Sequence, residues 1–170
     1  VLRNFGGMSA VRATGEAKLV MEPGSVIEDA SSITRSKGDA GSVGPAGAVW
    51  LQGSDFEMEN GAEIKNVNGR AVYADGGSVS VGGTISGIIG NPAMWQGKDG
   101  TAIHLRGSAK ATLNGKISDC TEGVLVFVDK AVFEMATGSF LGNSDAAGIK
   151  TNEDPTWSLV NKDDYGTDRN

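Results

Sequence analysis

The stretch Gly47-Ala48-Val49-Trp50-Leu51-Gln52-Gly53-Ser54-Asp55-Phe56-Glu57-Met58-Glu59-Asn60-Gly61-Ala62-Glu63-Ile64-Lys65-Asn66-Val67 decides the fold. It holds three short alternations of apolar and polar residues, at Ala48 to Leu51, Phe56 to Met58 and Gly61 to Val67, with glycine-containing turns between them. Alternation with a period of two marks a strand with one face buried. Glycine supplies the backbone conformations that tight corners demand.

The phrase returns along the chain. Ala71-Val72-Tyr73-Ala74, Val79-Ser80-Val81 and Gly83-Thr84-Ile85-Ser86-Gly87-Ile88 repeat it, as do Ala102-Ile103-His104-Leu105, Ala111-Thr112-Leu113 and Gly115-Lys116-Ile117-Ser118-Asp119-Cys120. Fainter copies lie upstream at Val11-Arg12-Ala13, Leu19-Val20-Met21 and Gly24 to Ala30, and downstream at Val126-Phe127-Val128, Phe133-Glu134-Met135 and Gly138 to Ser144. A period of about 20–50 residues is the mark of a solenoid, whose units bury their apolar faces by stacking on one another. Three strands per period predict an all-β parallel β-helix of about five to six coils, spanning residues 1–152.

Aligning the phrases predicts three core columns: Val11, Val49, Val72, Ile103 and Val126; Met21, Met58, Val81, Leu113 and Met135; and Ile27, Ile64, Ile85, Ile117 and Leu141. Cys120 falls in register with Ala30, Val67 and Ile88 and reads as a small buried apolar residue, not a reactive thiol. Two residues past the third column stand Asp29, Asn66, Gly87, Asp119 and Asn143, short polar residues and glycine that tolerate a left-handed corner and are expected to stack there as a hydrogen-bonded polar ladder, with Gly87 as a rung lacking a side chain. Successive members of that third column are 37, 21, 32 and 24 residues apart. The extra length is expected wholly between the polar corner and the next Ala-Val, at Ser31 to Ala46 and Ile89 to Gly100.

Composition narrows the partners. A net charge of −6 argues against nucleic acid or an anionic membrane surface. No apolar run approaches the roughly 20 residues needed to span a bilayer. Leu2-Arg3-Asn4-Phe5 aligns with Ile64-Lys65-Asn66-Val67, so the chain is expected to begin in the last strand of a preceding coil, as a piece of a longer protein. Residues 153–170 are polar and lose the pattern; they are expected to form a cap, with Trp157 and Leu159 over the open core, or a linker.

Two outward columns carry the candidate chemistry. The first reads Arg12, Trp50, Tyr73, His104, Phe127 and Lys150. On rungs about 4.8 Å apart its rings would form a continuous strip, and Trp95 sits in the long bend beside it. Such a strip binds a sugar chain or a partner protein if it is open, and is a packing surface if a long bend folds over it. His104 carries no argument for catalysis or metal binding, since it is the sole histidine. The second column reads Thr14, Gln52, Asp75, Arg106, Asp129 and Asn152. Asp75 and Asp129, two rungs or roughly 9–10 Å apart, are barely within the range of an inverting glycosidase pair; the other reading is a charge ladder through Arg106. Asp163, Asp164 and Asp168 would bind calcium weakly at most, because their spacing matches no calcium loop.

The phrase Gly-x-Ala-Val, Phe-x-Met, Gly-x-x-Ile-x-Asn resembles the degenerate right-handed β-helix repeats of bacterial and archaeal cell-surface adhesin-like proteins. Pectate-lyase-like enzymes share the architecture and the stacked asparagine corner. The resemblance implies an extracellular or cell-surface location and a noncatalytic stalk or ligand-binding face without a cofactor, directed at a surface polysaccharide or a host or partner protein. It also implies an alternative, a polysaccharide lyase or glycoside hydrolase fragment. In that case the lyases' calcium-binding acidic cluster maps loosely onto Asp75, Arg106 and Asp129.

Overall fold

The computed structural model describes residues 1–5, 9–31, 47–89, 101–121, 124–142, 147–151 and 156–159. Its strands follow the phrases in chain order. They are β1 (Leu2–Arg3), β2 (Val11–Thr14), β3 (Lys18–Met21), β4 (Val26–Glu28), β5 (Val49–Gln52), β6 (Asp55–Met58), β7 (Glu63–Asn68), β8 (Val72–Asp75) and β9 (Ser78–Val81). They continue as β10 (Thr84–Ile89), β11 (Ile103–Arg106), β12 (Lys110–Leu113), β13 (Lys116–Thr121), β14 (Val124–Asp129), β15 (Val132–Met135), β16 (Phe140–Leu141), β17 (Ala147–Thr151) and β18 (Thr156–Leu159). Each strand pairs in parallel with the one three places later, giving three six-stranded sheets: β1-β4-β7-β10-β13-β16 (sheet A), β2-β5-β8-β11-β14-β17 (sheet B) and β3-β6-β9-β12-β15-β18 (sheet C). The chain is therefore a parallel β-helix with three strands per coil. Among the described residues no helix is long and apolar enough to cross a membrane.

The register is the one the alternation predicts. Val11, Val49, Val72, Ile103 and Val126 are successive partners in sheet B. Met21, Met58, Val81, Leu113 and Met135 are partners in sheet C, and Leu2, Ile27, Ile64, Ile85, Ile117 and Leu141 in sheet A. From Val49 onward these columns are essentially inaccessible, and Cys120 shares the core with them. Each fully buried Val, Ile, Leu or Met contributes about 1.5–3 kcal/mol relative to an exposed one. At the N-terminal edge the same columns open to solvent: Leu2 is exposed and Val11 half-buried.

Backbone handedness marks two corners. After sheet A, Asn4, Asp29, Asn66, Gly87 and Asp119 all have φ between 53° and 63°, a left-handed region that Asn, Asp and Gly enter at least cost. Their column faces outward. Asp29, Asn66 and Asp119 are exposed, and among the described residues the one side-chain link along the column is a 3.4 Å hydrogen bond donated by Asn66 Nδ2 to Asp29 Oδ1. Asn143 lies outside the described residues. The position following β2, β5, β8, β11 and β14 of sheet B is again left-handed: Gly15, Gly53, Gly76, Gly107 and, without glycine, Lys130 at φ 54°.

The third corner, from sheet C to sheet A, corrects the expectation that all length variation lies in one bend. It has four residues in Glu22–Ser25, Glu59–Ala62 and Ala136–Ser139 but two in Gly82–Gly83 and Asn114–Gly115. The long form closes as a turn with a hydrogen bond from the fourth residue to the first and a left-handed glycine at Gly24, Gly61 or Gly138. The short form lies directly on the coil beneath it.

At the C-terminal side, β17 opens a further coil, with Ile149 opposite Val126 and Lys150 opposite Phe127. β18 then pairs with β15, setting Trp157 opposite Phe133 and Leu159 opposite Met135. Sheet C thus extends beyond residue 152, into a stretch whose polar composition conceals the alternation.

Candidate functional site

The outer face of sheet B gathers the candidate residues. Alternation along β2, β5, β8, β11 and β14 points two residues per strand away from the core, and the parallel register stacks the first of each as Arg12, Trp50, Tyr73, His104 and Phe127. The rings touch edge to face. Tyr73 and His104 have centroids 4.9 Å apart with planes at 58°, and His104 and Phe127 are 4.8 Å apart at 64°, the tilted geometry that ring quadrupoles favour.

The strip is not open to solvent. Relative exposure is 7% for Trp50, 4% for Tyr73, 7% for His104 and 2% for Phe127. None of the four belongs to the apolar cluster inside the coil. Sheet B is therefore buried on both faces at this row, and an outward position in the alternation does not mean an exposed one. Trp95 lies outside the described residues.

Guanidinium groups accompany the rings. Arg12 lies over the Trp50 ring at 3.9 Å and donates from Nη2 to Gln52 Oε1 at 3.4 Å; Arg70 lies 5.5 Å from the Tyr73 ring centre. Such cation–π contacts contribute about 0.5–1 kcal/mol when exposed and more when desolvated. Arg70 was missed by reasoning from alternation, because it sits in the bend before β8, where no strand pattern assigns a side. It is buried, at 6% exposure. Trp50 Nε1 is also buried, with no hydrogen-bond partner among the described residues.

The second outward column keeps its expected register, with Gln52 opposite Asp75, Asp75 opposite Arg106, and Arg106 opposite Asp129. Arg106 is the hub. Tyr73, with Asp75 and Asp129 on the neighbouring rungs, holds the Arg106 pKa above the usual arginine value. Arg106 Nε is 3.8 Å from Asp129 Oδ2. The rung between the two carboxylates is thus filled by a cation, as in a charge ladder. Gly107 follows directly, and a Cβ there would come within 2.9 Å of Asp75 Oδ1, so the left-handed glycine also makes room for that carboxylate.

Several other charged groups on the outer surfaces are paired locally. Arg3, Glu28, Lys65 and Glu63 form a chain of ion pairs on sheet A. On sheet C, Lys18 pairs with Glu57, and Asp55 accepts hydrogen bonds from Ser78 N and Oγ at 2.9 and 2.6 Å, which lower its pKa. Among the described residues no group of three or more His, Cys, Asp or Glu side chains is placed to hold a metal ion. Asp163, Asp164 and Asp168 lie outside them. Cys120 is buried, and desolvation pushes its thiol pKa up to about 12.

Comparison with known proteins finds no family model, no curated protein and no solved structure that matches this chain.

Proposed function

We propose that this chain is a noncatalytic β-helical segment of an extracellular or cell-surface protein, acting as an adhesin-like stalk. The observation that carries this reading is the sealed aromatic row: Trp50, Tyr73, His104 and Phe127 are spent on packing the outer face of sheet B. A sugar-binding platform needs its ring faces free to stack, whereas a stalk gains from a sheet buried on both sides. The Asp75–Arg106–Asp129 ladder supports the same reading. A glycosidase pair flanks the scissile bond and, in inverting enzymes, leaves room for a water between its carboxyls, whereas here Arg106 stands on the rung between the two carboxylates. The repeat's resemblance to surface adhesins supports the location.

The test is a binding screen on surface polysaccharides together with a depolymerisation assay on polygalacturonate, with and without calcium. The stalk reading expects no turnover, and expects Trp50→Ala and Tyr73→Ala to lower the melting temperature without changing any binding detected. Polysaccharide binding abolished by Trp50→Ala in a still-folded protein would establish a ligand-binding face instead. Release of unsaturated or reducing ends that is lost when Asp75 and Asp129 are both changed to Asn would establish an enzyme.

A further inference from the structure

We propose that Asn60 is a site of spontaneous covalent modification, deamidation through a cyclic imide with Gly61, and that the β-helix protects the other two Asn-Gly pairs from the same reaction. The chain contains three such pairs, Asn60-Gly61, Asn68-Gly69 and Asn114-Gly115. In each, the chemistry requires the glycine backbone nitrogen to lose its proton and attack Cγ of the preceding asparagine. The C–N bond of the side-chain amide breaks and ammonia leaves. Water then opens the five-membered imide at either carbonyl to give aspartate or isoaspartate. The net change is amide plus water to carboxylate plus ammonium, with no oxidant or other reactant.

The fold separates the three nitrogens. Gly69 is buried and its N–H donates to Ile89 O at 2.8 Å, while Asn68 N donates to Ala30 O at 2.8 Å. Gly115 N donates to Val81 O at 2.8 Å, and Asn114 is held by its own N–H to Val81 O and by Nδ2 to Ser80 Oγ. At both sites the attacking nitrogen is committed to a neighbouring coil. Asn60 and Gly61 are the two central residues of the four-residue corner closed by Ala62 N donating to Glu59 O at 3.0 Å, and both are exposed. Neither of their N–H groups donates to a backbone group of the described residues. Gly61 has φ +86°, and among the described residues a Cβ built on it would touch only Pro23, at 3.6 Å or more. The nitrogen can therefore deprotonate and swing toward Cγ without breaking the ladder.

The isoaspartate product would insert one extra main-chain carbon into the corner and add a negative charge beside Glu59. That lengthens a corner whose Gly61 O accepts from Gly24 N of the coil below.

Peptide mapping by mass spectrometry of the intact folded protein, aged in mildly alkaline buffer, tests the proposal, with a urea-unfolded sample aged in parallel. Asn60 is expected to convert about tenfold or more faster than Asn68 and Asn114 in the folded protein, because those two sites react only through local opening of hydrogen-bonded rungs. In urea the three should convert at comparable rates. Asn60→Pro should remove the first-appearing modified peptide and leave the other two unchanged. Equal native rates at the three sites, or an Asn60 that stays amidated when folded but converts in urea, would overturn it.

Discussion

Replacing Gly115 by Ala adds a single methyl group at a two-residue corner, and the geometry allows its cost to be worked out. A Cβ on Gly115 would lie 2.1 Å from Gly83 O, 2.6 Å from Gly82 C and 2.7 Å from Gly82 O, all rigid backbone of the coil below. A carbon–oxygen contact needs about 3.3 Å or more, so the rungs must part locally by roughly 1 Å on a spacing of about 4.8 Å. Three hydrogen bonds cross that gap: Asn114 N and Gly115 N to Val81 O, both 2.8 Å, and Lys116 N to Gly83 O, 2.9 Å. Lengthened by that amount they leave the hydrogen-bonding range of about 2.7–3.2 Å. Losing two at about 0.5–1.5 kcal/mol each, with a further penalty for whichever group is left dry, gives a destabilisation of roughly 2–5 kcal/mol. Gly24→Ala is the control: its φ of +81° strains an alanine but nothing lies within 4 Å, so the cost is about 1–2 kcal/mol. Urea melts of the two variants beside the parent protein decide the matter. A Gly115→Ala protein that melts with the parent, or is hurt less than Gly24→Ala, would refute the close-stacked corner.

Asn60→Pro should stabilise by about 0.4–1 kcal/mol, because Pro23 occupies the same corner position one coil earlier and Asn60 N donates to no backbone carbonyl of the described residues; a lowered thermal midpoint would contradict the turn geometry. Lys130→Gly should raise stability by roughly 1 kcal/mol by relieving a left-handed backbone, since Lys130 at φ 54° stands where the preceding coils place glycine; urea melts measure it. Cys120 should resist alkylation in the folded protein and react in step with unfolding. Its raised pKa also sets a sign: stability is fully present below the unfolded thiol value near 9.0 and falls as pH rises toward about 12, because the unfolded chain ionises first. Melts across that range check it.

Register was legible in the sequence because a parallel β-helix repeats the same local physics on every rung. Period-two alternation fixes which residues of Phe56-Glu57-Met58 point inward, and like-on-like stacking then aligns Met58 with Met21 and Val81. The polar corner was legible for a similar reason. Asp29, Asn66, Gly87 and Asp119 are the residue types that enter a left-handed conformation at least cost, and all four do so. Even the placement of Leu2 opposite Ile27 follows from the phrase. β18 was concealed because Thr156 to Leu159 offers two apolar residues in a polar tail, too few for alternation to stand out.

The sequence by itself therefore determined the coil, its three sheets and the inward columns, all of which depend on neighbours along the chain and on a rung spacing common to every parallel sheet. Tertiary structure alone decided what becomes of the outward residues. The phrase assigns Trp50, Tyr73, His104 and Phe127 to the outer face but cannot say that they are buried there, since exposure depends on everything that lies above a side chain, and no alternation records that. The same holds for the contact from Arg106 to Tyr73, which crosses from one column to another, and for Gly115, whose need for a missing side chain arises only where the backbone of another coil runs within 2.1 Å of the absent methyl group.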